Sequence, residues 1–249
     1  MKDHDPPRIP DLFAALLASA KDAASARAFL REQPLDEPQM IGLLRLAVPV
    51  TLLEALASTA PWSERPRVLG GVCLNPRTPR ALAQRLLPAL YWRDLADVAA
   101  SHRIEGGVKV RAEALLKERL PDLRLGEKIA LGRIATPAVL RLLLLESDAK
   151  ILEAALQNPR LTESDLVALV RTKDAPRPLL EAVAAASRWQ ASYAVRLALV
   201  LQPRTPAAVS LAQLTSLVEH DLRQIAENPT LPPLVQAAAG RVAAEPRQR

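Results

Sequence analysis

One short string, Asn-Pro-Arg-Thr-Pro and its variants, recurs along the chain and constrains the fold more than any other feature. It appears as Asn75-Pro76-Arg77-Thr78-Pro79, Asn158-Pro159-Arg160-Leu161-Thr162, Pro203-Arg204-Thr205-Pro206 and Asn228-Pro229-Thr230-Leu231-Pro232, with Thr136-Pro137 as a shortened form. Each copy lies between stretches whose apolar residues recur at helical spacing, such as Leu52, Leu53, Leu56 and Ala57, or Val139, Leu140, Leu143 and Leu144. Asn tolerates the left-handed conformation that ends a helix, and a following proline cannot continue one. Thr then offers an N-cap oxygen, and the next proline is preset for a first helical turn. In Thr162-Glu163-Ser164-Asp165 a capping-box-like pair replaces that second proline. The string therefore stops one helix and starts the next within a few residues, as the connections of a stacked helical repeat do.

A longer period lies above this one. Shifted by 127 residues, positions 49–118 superpose on 176–245 without a gap, and 22 of the 70 positions are identical. Trp62/Trp189, Asp94/Asp221 and the whole Pro-Arg-Thr-Pro string are among them. With small slips the match extends upstream. The chain reads as a tandem duplication, with residues 1–8 as a disordered N-terminus, a first half over 9–120, a connecting helix or linker over 121–135 and a second half over 136–248.

Composition agrees. The 249 residues hold 22 prolines against 8 glycines and only 3% aromatics, which argues against sandwiches and barrels and for many short helices. The fold class expected is all-α: a right-handed α-solenoid of helical hairpins, the two halves packed as one continuous superhelix. The Asn-Pro-x-Thr-Pro spacing resembles the bacterial HEAT-like and leucine-rich-repeat-variant α-solenoid families. That resemblance covers most of the chain from about Val68 onward and implies a structural repeat rather than a chemistry. Some leucine-rich-repeat-variant proteins carry an iron–sulfur module on clustered cysteines. Cys73 is the only cysteine, so no such cofactor is expected.

The search for chemistry yields a surface rather than an active site. The three histidines are scattered, and no nucleophile motif, metal motif or phosphate loop is present. Neither cofactor, metal nor small-molecule substrate is expected, and the chain reads as a non-enzyme. No stretch suits a membrane span or a signal peptide, so a cytoplasmic location is expected. The formal charge is +6, and from Arg65 to Arg93 six arginines occur without one acid. Arg77, Arg160 and Arg204 follow loop prolines and would align along one edge of a solenoid; solvation of the turns is the plainer account of them. Trp62 and Trp189, shared by both copies, read as packing residues. Tyr91, Trp92 and Arg93 face Val218, Glu219 and His220 in the second copy, so the shared fold does not demand them. They join Arg77, Arg80, Arg160 and Arg204 as the expected partner-binding residues. The function expected is a protein-binding scaffold. Nucleic-acid binding along the arginines is the first alternative. A HEAT-like DNA glycosylase using Trp92 and Asp94 is a second, weakened by the scarcity of aromatics.

Overall fold

The computed structural model describes residues 14, 18, 22–32 and 35–245, so the segment expected to be disordered, 1–8, lies outside the described residues. The described residues contain no strand, and seventeen α-helices run between Ala23 and Ala244. They divide into two compact units, one ending at Asp122 and the other beginning at Leu123.

The first unit holds α1 (Ala23–Glu32), α2 (Glu37–Leu44), α3 (Val50–Leu56), α4 (Pro66–Leu74), α5 (Arg80–Leu86), α6 (Trp92–Ala100) and α7 (Gly106–Arg119). The second holds α8 (Leu125–Ile134), α9 (Pro137–Leu143), α10 (Ala149–Leu156), α11 (Glu163–Val170), α12 (Arg177–Ala185), α13 (Ser187–Gln190), α14 (Tyr193–Leu201), α15 (Ala207–Leu214), α16 (Glu219–Glu227) and α17 (Pro233–Ala244). Helices too short to be stable alone gain their stability from burying one face. Here a helix packs on the next but one: α1 on α3, α2 on α4, α4 on α6 and α5 on α7. The second unit repeats the scheme with α8 on α10, α10 on α12, α14 on α16 and α15 on α17. The stretch 121–135 contains both the break between units and α8, which packs within the second unit.

The internal duplication is visible helix by helix. From Pro49 onward the 127-residue shift carries each α-helix start of the first unit onto one in the second: Val50/Arg177, Pro66/Tyr193, Arg80/Ala207, Trp92/Glu219 and Gly106/Pro233. Upstream the shift is 126, as in Ala23/Ala149 and Glu37/Glu163, so one residue has been inserted ahead of Pro176. Asp22 and Asp148 illustrate the match, each accepting the backbone N–H groups of the second and third residues of its helix.

The connections correct two expectations. No described non-glycine residue has a positive φ, so the asparagines do not end helices in the left-handed conformation. Asn75 and Asn228 are extended instead. At Thr78-Pro79 and Thr205-Pro206 the N-cap is the proline, and the threonine sits before it. Thr78 turns its hydroxyl back onto the Val72 carbonyl. Thr136 and Thr162 do occupy N-caps, and Thr162 accepts the Asp165 N–H.

The asparagine has another task, and it holds the stack together. Asn75 is buried and its amide donates to the carbonyls of Leu44 (2.8 Å) and Leu46 (2.7 Å), while its oxygen accepts the Arg77 N–H. Asn158 does the same for Gly132 and Ala135, and Gln202 for Val170 and Thr172. Helix C-termini leave carbonyls without partners. One buried amide satisfies two of them near the end of another helix and fixes its own turn at once.

Candidate functional site

The two copies share a face and treat it differently. In the first unit, α2, α4 and α6 lie side by side. Residues three, four and seven apart present one helix face, and Ile41, Leu44 and Arg45, then Arg67, Gly71 and Leu74, then Asp94, Asp97 and Ser101 line a groove of about 370 Å³ that Arg103 closes. A second hollow, lined by Glu37, Pro38, Ile41, Gly42, Arg45 and Arg67, adjoins it across α2. Arg45, Arg67, Asp97 and Arg103 are exposed, and Asp94 is half-buried.

Gly70 and Gly71 make room for this groove. Glycine in a helix interior costs about 1 kcal/mol relative to alanine, and two in succession need a reason. A Cβ on Gly70 would lie 3.0 Å from the Asp94 carboxyl, and one on Gly71 would lie 2.9 Å from the Leu44 side chain. Both glycines therefore let neighbouring helices approach the α4 backbone closely. In the second unit the matching residues are Leu197 and Ala198.

Asp94 sits where this close approach leaves it partly dehydrated. Burial, with Asp97 adding repulsion, raises its carboxyl above the ordinary value of 3.8, against the pull of Arg67, Arg93 and the Tyr91 backbone N–H. A group whose folded pKa is raised contributes its stability below the unfolded pKa and loses it as pH rises through the folded value. Asp94→Asn is therefore expected to gain stability relative to the parent as pH rises above about 4. Urea titrations of both proteins at pH 3 and pH 7 check this; a difference that is flat with pH would contradict it. Cys73 lies beneath the same helices, and burial followed by the Asp94 charge pushes its thiol up to about 12. It stays a protonated core residue.

The duplicate of Asp94 is satisfied from within. Asp221 accepts a short hydrogen bond from the Tyr193 hydroxyl, which in turn accepts the Val218 N–H. Tyr193 corresponds to Pro66, which has no donor to offer. The groove's other charges also differ between copies: Arg67, Asp97 and Arg103 match Ala194, Gln224 and Thr230, while Arg45 matches Arg171. At the corresponding helices of the second unit a hollow lies at the loop end, beside Arg171, Asp174, Gln202 and Arg204; a separate one of about 390 Å³ lies between α10 and α12, beside Glu153, Gln157, Ala182 and Arg188.

The arginines expected to form a ridge are mostly engaged locally. Arg160 donates to the Ile134 carbonyl at the end of α8, and Arg80 pairs with Glu105 at 3.0 Å. Arg204 faces Asp174 at 3.7 Å, an exposed pair of the kind that contributes at most about 1 kcal/mol. Arg77 and Arg93 are exposed. Tyr91 is 61% exposed as the N-cap of α6, and Trp92 beside it is half-buried. They stand at the opposite end of that nine-residue helix, about 13 Å long, from the turn that carries Arg103. Arg103 escaped the sequence reading because Ser101-His102-Arg103 lacks the Asn-Pro signature. Its turn is built alike, with the Ser101 hydroxyl accepting the Arg103 N–H as Asn75 accepts that of Arg77. The signal was the 127-residue shift, which sets Ser101 against Asn228.

No family model, no curated protein and no solved structure matches the chain. Among the described residues no three His, Cys, Asp or Glu side chains gather as a metal site would need, and no helix is long and apolar enough to cross a membrane.

Proposed function

We propose that the helices form HEAT-like α-solenoid hairpins and that the protein is a non-catalytic scaffold, holding a segment of a protein partner in the α2–α4–α6 groove. The observation that carries this reading is the charge pattern of that groove set against its duplicate. Both copies build the same helices, yet Arg67, Asp97 and Arg103 occur in the first alone, so the fold does not account for them. Both signs of charge in one groove favour a polypeptide, which carries both signs itself. A phosphate backbone would be attracted by Arg45, Arg67 and Arg103 but repelled by Asp94 and Asp97. Stacked helices also offer a surface ordered in advance, which lowers the entropic cost of binding.

The test is affinity capture from the native cell with the parent protein and with an Arg45→Glu/Arg67→Glu/Arg103→Glu variant side by side. A protein retained by the parent through nuclease treatment and reduced about tenfold or more on the variant is the expected result. Capture that nuclease abolishes would move the reading to nucleic acid. Capture indifferent to the three substitutions would remove the groove from the function.

A further inference from the structure

Resting on that reading of the groove, we infer that its partner is anchored by one cationic side chain, an arginine or lysine, which enters over Gly71 to meet Asp94 and has acidic residues on either side. Four observations converge on Asp94. Its carboxyl is half-buried against the α4 backbone at Gly70, where a side chain would collide with it. It lines an open groove. The equivalent Asp221 has an internal donor, the Tyr193 hydroxyl, whereas the first copy has Pro66 there. The residue matching Leu197 is Gly70. The first copy thus keeps the acceptor of its duplicate, with the Tyr91 backbone N–H on it, and has neither the tyrosine hydroxyl nor the leucine side chain of the second.

The rest of the lining states what surrounds the cation. Asp97 lies one turn along α6 and adds a second negative charge to a lining that also holds Arg45, Arg67 and Arg103. A ligand complementary to both signs carries a positive charge for Asp94 and Asp97 and negative charges for the arginines. A charged hydrogen bond to a partly dehydrated carboxylate is stronger than one formed in water. The anchor therefore supplies affinity at Asp94, and the acidic flanks supply register against the arginines.

Fluorescence anisotropy with the full chain tests this. The probes are two fluorescein-labelled nine-residue peptides with glutamates flanking a central residue, arginine in one and its neutral isostere citrulline in the other. The parent protein is expected to bind the arginine peptide about tenfold more tightly than the citrulline peptide. Asp94→Asn is expected to bring that ratio to about one, with circular dichroism confirming its fold. Pro66→Tyr, which places in the first unit the residue that satisfies Asp221 in the second, is expected to lower the ratio while leaving the carboxylate in place. Arg45→Glu/Arg67→Glu is expected to weaken both peptides and to preserve their ratio. If both peptides bind and the arginine double variant weakens them, yet arginine and citrulline are not distinguished, the anchor is wrong and the groove reading stands. If neither peptide binds at millimolar protein, both readings are overturned. Binding of an oligonucleotide lost in Arg45→Glu/Arg67→Glu, without peptide binding, also overturns both.

Discussion

Trp189→Ala is expected to lower stability by about 4 kcal/mol, the scale of a large aromatic removed from a core. Trp189 is 5% exposed, and its indole N–H donates to the Leu156 carbonyl at 3.0 Å, at the last residue of α10. The substitution leaves a void between α10 and α13 and a buried carbonyl without its donor. It also removes the surface on which Arg188 stacks at 4.4 Å. That guanidinium donates to the carbonyls of Asn158 and Leu161, so its own order depends in part on the ring. Trp62 is built alike, with its N–H on the Leu30 carbonyl and Arg65 over its face at 5.0 Å. Trp62→Ala should therefore cost a similar amount. Trp189→Phe separates the effects, since it keeps much of the apolar area and gives up the hydrogen bond, and it should cost about 1–2 kcal/mol. Urea denaturation followed by circular dichroism measures all three. Equal losses for Trp189→Phe and Trp189→Ala would show that the hydrogen bond, not the packing, dominates.

The all-helical character was legible because its signals are local. Apolar spacing, Thr162 at an N-cap and Pro137 opening a helix after Thr136 read correctly from neighbouring residues alone. The duplication was legible for another reason: Trp62/Trp189 and Pro-Arg-Thr-Pro are rare enough in type to mark a register. What stayed hidden depends on contacts between residues far apart in the chain. Asn75 does end its helix, but its larger task stayed hidden because a sequence shows its own helix and not the Leu44 and Leu46 carbonyls some thirty positions upstream. Arg160 looked like part of a ridge because Ile134, whose carbonyl accepts its N–H, is likewise distant. The groove was harder still. Arg45 and Arg103 are ordinary surface residues in sequence, Arg67 is one of six arginines between Arg65 and Arg93, and nothing beside Gly70-Gly71 in the chain shows which side chains approach it. Their meaning came from the comparison of copies, by the same logic that set Tyr91-Trp92-Arg93 apart from Val218-Glu219-His220.

The asparagine brackets set the second large effect. Asn158 is 1% exposed and makes three bonds: its amide to Gly132 (2.8 Å) and Ala135 (3.2 Å), and its oxygen from the Arg160 N–H (2.8 Å). Asn158→Ala leaves two carbonyls and one N–H without these partners. At about 1 kcal/mol or more for each buried group so exposed, the loss should reach about 3 kcal/mol. Asn158→Asp should do more harm, about 4 kcal/mol, because an ionised carboxylate would face two carbonyl oxygens that need a donor. That excess belongs to the charged form, so lowering the pH toward the carboxyl pKa should remove part of it. Asn158→Gln is the informative control. Gln202 makes the same pattern of bonds in its own turn, to Val170 and Thr172 and from the Arg204 N–H, with one more methylene. If the bracket depends on amide chemistry, glutamine should recover about half of the loss seen with alanine. Should glutamine match alanine, the length of the side chain would be as strictly required as its amide, and the second copy would have needed a compensating shift of α14 to accept Gln202.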